Sequence, residues 1–116
     1  MIIELPFPPA ILSGHANGNG TWGKIATTKQ FRGWAKRATE AAGGCEVPPT
    51  GDVRIHFHFV PPDNRSDRLN FANRVKPIAD GIAEAIGIND KRFLPSYSYA
   101  DACKPGKVVV TVGEME

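Results

Sequence analysis

Eight residues near the middle of the chain, Val53 to Val60, do most to limit what it can fold into. Val53, Ile55, Phe57 and Phe59 alternate with Arg54, His56 and His58. Successive side chains of a strand point to opposite faces, so this pattern predicts a half-buried strand with one apolar and one polar side. Pro61-Pro62 ends it, since proline cannot donate to a ladder. Helical periodicities lie before and after it. From about Thr27 to Ala42, Phe31, Trp34, Ala35, Ala38 and Ala42 recur at helical spacing, with Lys29, Arg32, Lys36 and Arg37 largely off that stripe, and Gly43-Gly44 stops the run. The second apolar set is Phe71, Val75, Ile78, Ile82, Ala85 and Ile86, with Pro77 early and Gly87 as the cap of the far end. Proline is tolerated in a first turn, so regular helix begins near Asn73 or later, after a looser turn.

Ile2 to Leu5 reads as a short strand that runs into an extended arm at Pro6, Pro8 and Pro9. Residues 13–24, rich in glycine and asparagine, have the composition of a long loop, with Trp22 placed in it to make contacts. Asn89-Asp90-Lys91-Arg92 makes a polar turn, Tyr97 and Tyr99 alternate in a strand, Pro105-Gly106 turns, and Lys107 to Val112 is the last strand. The order is strand, helix, strand, helix, strand, strand. The fold class is therefore α+β: a small mixed β-sheet of about four strands with two helices packed on it, its last two strands joined as a hairpin.

The 116 residues suffice for one core and not for two, so residues 1–116 form a single domain. Hydrophobic residues at 41% and charged residues at 22% exclude collagen, coiled-coil and low-complexity classes. No run approaches the roughly 18 apolar residues of a spanning helix, and Met1 to Pro9 has no basic flank ahead of a sustained apolar stretch. The expectation is a soluble cytoplasmic protein with no membrane partner. Cys45 and Cys103, without Cys-x-x-Cys spacing, predict reduced thiols.

Fourteen Lys and Arg against twelve Asp and Glu leave a net charge of only +2. Between Glu4 and Glu40, however, there is no acidic residue, while Lys24, Lys29, Arg32, Lys36 and Arg37 fall there. Such a stretch is either a positive field for a polyanion, nucleic acid above all, or a solvated helix face. The informative chemistry lies between Arg65 and Asp90. Asn73, Lys76 and Asp80 share one helix face, with Asp67 just before the helix and Asp90 just after it. If the loops bring these carboxylates together, hard oxygen ligands beside a lysine and arginines suit a magnesium-assisted phosphoryl reaction. Otherwise they are an exposed charged loop and an ordinary helix cap.

Leu5-Pro6-Phe7-Pro8-Pro9, Asp67-Arg68-Leu69-Asn70, Arg74-Val75-Lys76-Pro77, Asp80-Gly81-Ile82 and Asn89-Asp90, in this order, resemble the RusA family of Holliday-junction resolvases, its phage and prophage members above all. The resemblance spans nearly the whole chain. It implies a homodimeric, structure-selective DNA endonuclease that binds branched DNA, resolves four-way junctions and hydrolyses phosphodiesters with Mg2+ or Mn2+. Carried over, it gives catalytic roles to Asp67, Asn70, Lys76 and Asp90. Asp67 and Asp90 hold the metal, with Asp80 or Asp63 beside them; Lys76 stabilises phosphate charge, and Asn70 orients the site. Lys24, Lys29, Arg32, Lys36, Arg37, Arg65, Arg68 and Arg74 are the expected DNA-binding set. The chain departs from the family's Asp-x-Asp-Asn pattern in carrying Leu69 where a metal carboxylate belongs, and Asn89 replaces the first of an Asp-Asp pair. Counting back from Lys76 with Asn73 as the motif asparagine would put Asn70 and Ala72 at the carboxylate positions instead. The alternative function is thus a weakened or inactive homologue that binds junctions without cutting them.

Other readings compete. His56 and His58, with His15, form a three-histidine metal site or simply a polar sheet face. Trp34 belongs to the apolar stripe, Trp22 is the better residue to stack on bases, and Phe71 is core or a wedge at an interface. No Gly-x-Ser-x-Gly supports covalent serine catalysis. A small interaction domain without a nucleic-acid role is the third class, resting on the near-neutral total charge.

Overall fold

A computed structural model describes residues 1–13 and 21–113. Six main elements follow one another: β1 (Ile2–Pro6), α1 (Thr21–Ala41), β2 (Val53–Val60), α2 (Lys76–Ile86), β3 (Phe93–Tyr99) and β4 (Lys107–Val112). Short 3-10 turns occupy Ala10–Leu12, Arg68–Arg74 and Asp90–Arg92. The strands form one mixed sheet in the order β1-β4-β2-β3, antiparallel except for the parallel pair β2 and β3.

In the register, Ile3, Val110, Phe57 and Tyr97 form one row across the sheet, and Leu5, Val108, Phe59 and Tyr99 the next. These residues face the helices, and the first three of each row are buried. Phe31 and Ala35 of α1 and Ile78 and Ile82 of α2 complete the core. Gly81 sets how closely the helices approach: a Cβ there would stand 2.3 Å from the Arg32 carbonyl oxygen and 3.0 Å from Ala35 Cβ. Phe71 is fully buried, edge-on to Phe7 with ring centroids 5.0 Å apart, and is no interface wedge. Trp34 packs half-buried against Phe31. Both cysteines are free thiols. Among the described residues no helix is long and apolar enough to cross a membrane.

Two expectations change. Helix α1 starts at Thr21, so Trp22, Gly23 and Lys24 are helical and not part of a loop. The glycine at 23 serves close approach, since a Cβ there would lie 3.0 Å from Ile11 Cδ1, and Lys24 Nζ donates to the Ser13 carbonyl at 3.3 Å. Tertiary contact outweighs local composition here. Residues 14–20 of the expected loop, His15 among them, lie outside the described residues.

The expected hairpin is also absent, because β3 and β4 lie on opposite sides of β2. The Ala100 amide donates to the Phe59 carbonyl at 2.9 Å, so by strand alternation the backbone of residues 94, 96 and 98 faces β2 and that of 95, 97 and 99 faces the free edge. Proline at 95 therefore costs the ladder nothing on an edge strand, and would remove a donor from an interior one. The β-branched run of β4, with Val108, Val110 and Val112 buried, takes the interior place.

Candidate active site

Helix α2 and the turn after it build the site. Lys76 opens the helix with Pro77 beside it in the first turn, where the missing amide has no helical partner to lose. Asp80 follows one turn later, and its Oδ1 lies 3.0 Å from Lys76 Nζ. Gly87, at φ 74°, ends the helix in the left-handed conformation, and the Ile88 amide closes back on the Ala83 carbonyl at 3.0 Å. Asn89 then caps the next turn, its side chain accepting from the Lys91 amide at 2.9 Å. This reversal carries Asp90 back to Lys76, whose ammonium it also binds. One lysine thus holds two carboxylates that stand ten positions apart in the chain.

Two clefts flank this trio. One of about 190 Å3 between α2 and β3 is lined by Lys76, Asp90, Ala79, Phe93 and Tyr97. The other, about 240 Å3, is bounded by Arg32, Asp80, Glu84, Asn89 and Asp90. A larger depression of about 540 Å3 lies by Leu5, Pro6, Cys103 and Lys107, with none of the expected catalytic residues in its lining.

Asp67 is used differently. It caps the 3-10 turn, Oδ1 accepting from the Leu69 amide at 2.9 Å, and the Asn70 amide donates to its carbonyl at 3.0 Å. Among the described residues, no three His, Cys, Asp or Glu side chains gather as a metal-holding group, so Asp67, Asp80 and Asp90 do not form one set of ligands. Leu69, 85% exposed, lies beside the capping carboxylate. Hard carboxylate oxygens at Asp80 and Asp90 still fit a magnesium ion, which takes few protein ligands and keeps water. A lysine ammonium between them marks a place that favours positive charge.

The basic residues divide. Lys29, Arg37, Arg65 and Arg68 are exposed. Arg32 Nε and Lys36 Nζ lie 3.2 and 3.3 Å from the two oxygens of Glu84, whose carboxyl these partners hold below the usual range, the Lys36 hydrogen bond foremost. Arg74 requires a correction: it is only 5% exposed and serves packing, not surface phosphate contact. Its Nη1 donates to the Pro8 carbonyl at 3.2 Å, its guanidinium lies 5.2 and 5.9 Å from the Phe71 and Phe7 ring centres, and Nε has no partner. Burial lowers its pKa.

His56 and His58 are on the other face of the sheet, bonded to Ser96 and Ser98. The one signal these serines leave in the sequence is their alternation with Tyr97 and Tyr99, and Glu84 is visible there only as one further turn beyond Asp80 on α2.

No family model matches the chain. It is 35% identical over 114 residues to a protein of Xylella fastidiosa (strain Temecula1 / ATCC 700964) described as "Uncharacterized protein", a match covering 95% of this chain and 74% of that one.

Proposed function

We propose that this chain, which belongs to the same family as that Xylella fastidiosa protein, is a divalent-metal-dependent endonuclease of branched DNA, acting as a homodimer on four-way junctions. The observation that carries the reading is the Lys76, Asp80 and Asp90 cluster, in which residues from both ends of α2 meet at the mouths of two clefts. Two carboxylates against one ammonium leave a net negative charge, the sign that attracts a divalent cation. The ordered resemblance to RusA-type resolvases supplies the substrate class.

Asp80 and Asp90 are the residues that would hold Mg2+ or Mn2+. When bound, the ion polarises a phosphate and makes water more acidic. Lys76 offsets charge on the scissile phosphate. Arg65 and Arg68 on the loop before α2, with Lys29 and Arg37 on α1, hold the DNA backbone as exposed cations.

The test incubates the purified protein with a mobile four-way junction and with matched linear duplex, in magnesium, manganese or chelator, reading binding and cleavage together. Metal-dependent paired nicks on the junction alone are expected. No preference for the junction would overturn the reading.

One observation favours a second reading, a module that binds junctions without cutting them. Exposed Leu69 stands where the resembling family has a carboxylate, and Asp67 is apart from the cluster. On that account, tight metal-independent junction binding occurs without nicks, and Leu69→Asp raises cleavage.

A further inference from the structure

The outer face of the sheet carries a cluster that the proposed reaction does not use. His56 and His58 stand two apart on β2, so both rings project from the same side, and the register places Ser96 and Ser98 of β3 opposite them. His56 Nε2 lies 2.7 Å from Ser98 Oγ, and His58 Nδ1 lies 2.6 Å from the same oxygen. Two imidazole nitrogens from one strand therefore converge on a single point. His56 Nδ1 lies 2.6 Å from Ser96 Oγ, which fixes the ring and leaves Nε2 to face that point. Both histidines are half-buried.

We infer that this convergence is a binding site for a transition-metal ion of the zinc class, held by His56 Nε2 and His58 Nδ1. Neutral imidazole is the common ligand of zinc, nickel and copper ions, whereas magnesium prefers oxygen. Metal–nitrogen bonds of about 2.0–2.1 Å require the two nitrogens to share one small centre, as they already share one hydroxyl. Binding requires the Ser98 hydroxyl to rotate away from that centre. Ser96 keeps the role that outer-shell partners have in metal sites, orienting the ring from its second nitrogen. Two protein ligands leave the remaining positions to water, so binding is weaker than at a closed four-ligand site. Arg54 also lies on this face, and β4 and β1 contribute the Lys107–Glu4 pair, at 3.2 Å, and Thr111.

The test titrates the full chain, stripped with chelator, with Zn2+ against a chromogenic competitor, and follows the imidazole nitrogens by NMR. About one equivalent is expected to bind, with shifts confined to His56 and His58. His56→Ala and His58→Ala each weaken binding about tenfold or more, while Ser98→Ala, which removes the competing hydroxyl, does not weaken it. The Cys45→Ser, Cys103→Ser pair retains the affinity of the unaltered chain. Thermal melts of each variant establish that it is folded. Absence of binding, or binding unchanged in a folded His56→Ala, His58→Ala double variant, overturns the inference, and neither result bears on cleavage of DNA.

Discussion

Asp67 Oδ1 accepts from the Leu69 amide at 2.9 Å, whereas Asp90 accepts from the Lys76 ammonium, and on the proposed reading the second carboxylate is the one that holds the cation. Asp90→Asn preserves shape and removes charge. It is expected to lower magnesium-dependent junction cleavage by at least the roughly 10- to 100-fold that loss of a supporting partner costs a metal site. Asp67→Asn, which keeps the capping oxygen, should have the smaller effect. Initial rates across a magnesium series check this, and equal losses would return Asp67 to the metal site. On the other face of the sheet, burial and then the neighbouring His58 lower the His56 pKa. A histidine depressed in the folded state takes up its proton more readily when unfolded, so stability rises with pH across the interval. It is complete above the unfolded value of about 6.5 and declines as pH falls below it. Between neutral and mildly acidic pH the melting temperature of the wild type should fall further than that of His56→Gln, because the variant lacks that loss. A constant difference would remove His56 as the cause.

Helix packing explains a glycine whose place in a helix is otherwise unfavourable. In an open helix, Gly→Ala stabilises by about 1 kcal/mol. At Gly81 the added methyl would meet the Arg32 carbonyl at 2.3 Å, backbone that cannot swing away. Gly81→Ala is therefore expected to destabilise by about 1–3 kcal/mol, the cost of overpacking, with urea unfolding as the measurement. A stabilised variant would show that the helices can separate without loss. The same contact explains why Asp80-Gly81-Ile82 occurs as a unit: one residue reaches Lys76, the next admits α1, and the third fills the core. The segment before α2 is tied down by Arg74, which crosses to the Pro8 carbonyl and holds the proline arm against Phe71.

On the scale of the molecule, the positive stretch seen along α1 is partly neutralised by Glu84 of the neighbouring helix. Glu84→Gln frees Arg32 and Lys36 from a carboxylate. It should tighten junction binding at low salt and steepen its salt dependence, since each phosphate neutralised releases counterions. Binding isotherms over a salt series measure the slope, and an unchanged slope would place α1 away from the DNA. Much of this architecture was legible beforehand: β2 and β4 at their observed bounds, a looser turn ahead of α2, and the caps at Gly43-Gly44 and Gly87. Each depends on residues a few positions apart, and alternation, helical spacing, proline and glycine report directly on that range. The interior place of β4, the early start of α1, the burial of Arg74 and the pairing of Glu84 were not legible. Those depend on partners far along the chain, 66 positions away between Arg74 and Pro8 and 109 between Thr111 of β4 and Ile2 of β1, and local pattern carries no record of who the partner is. The candidate site divides in the same way. The sequence by itself determined that Lys76 and Asp80 share one helix face, because helical geometry places them there. Only the tertiary structure decided that Asp90 joins them while Asp67 does not, because the fold-back after Gly87 sets that distance and no local periodicity contains it.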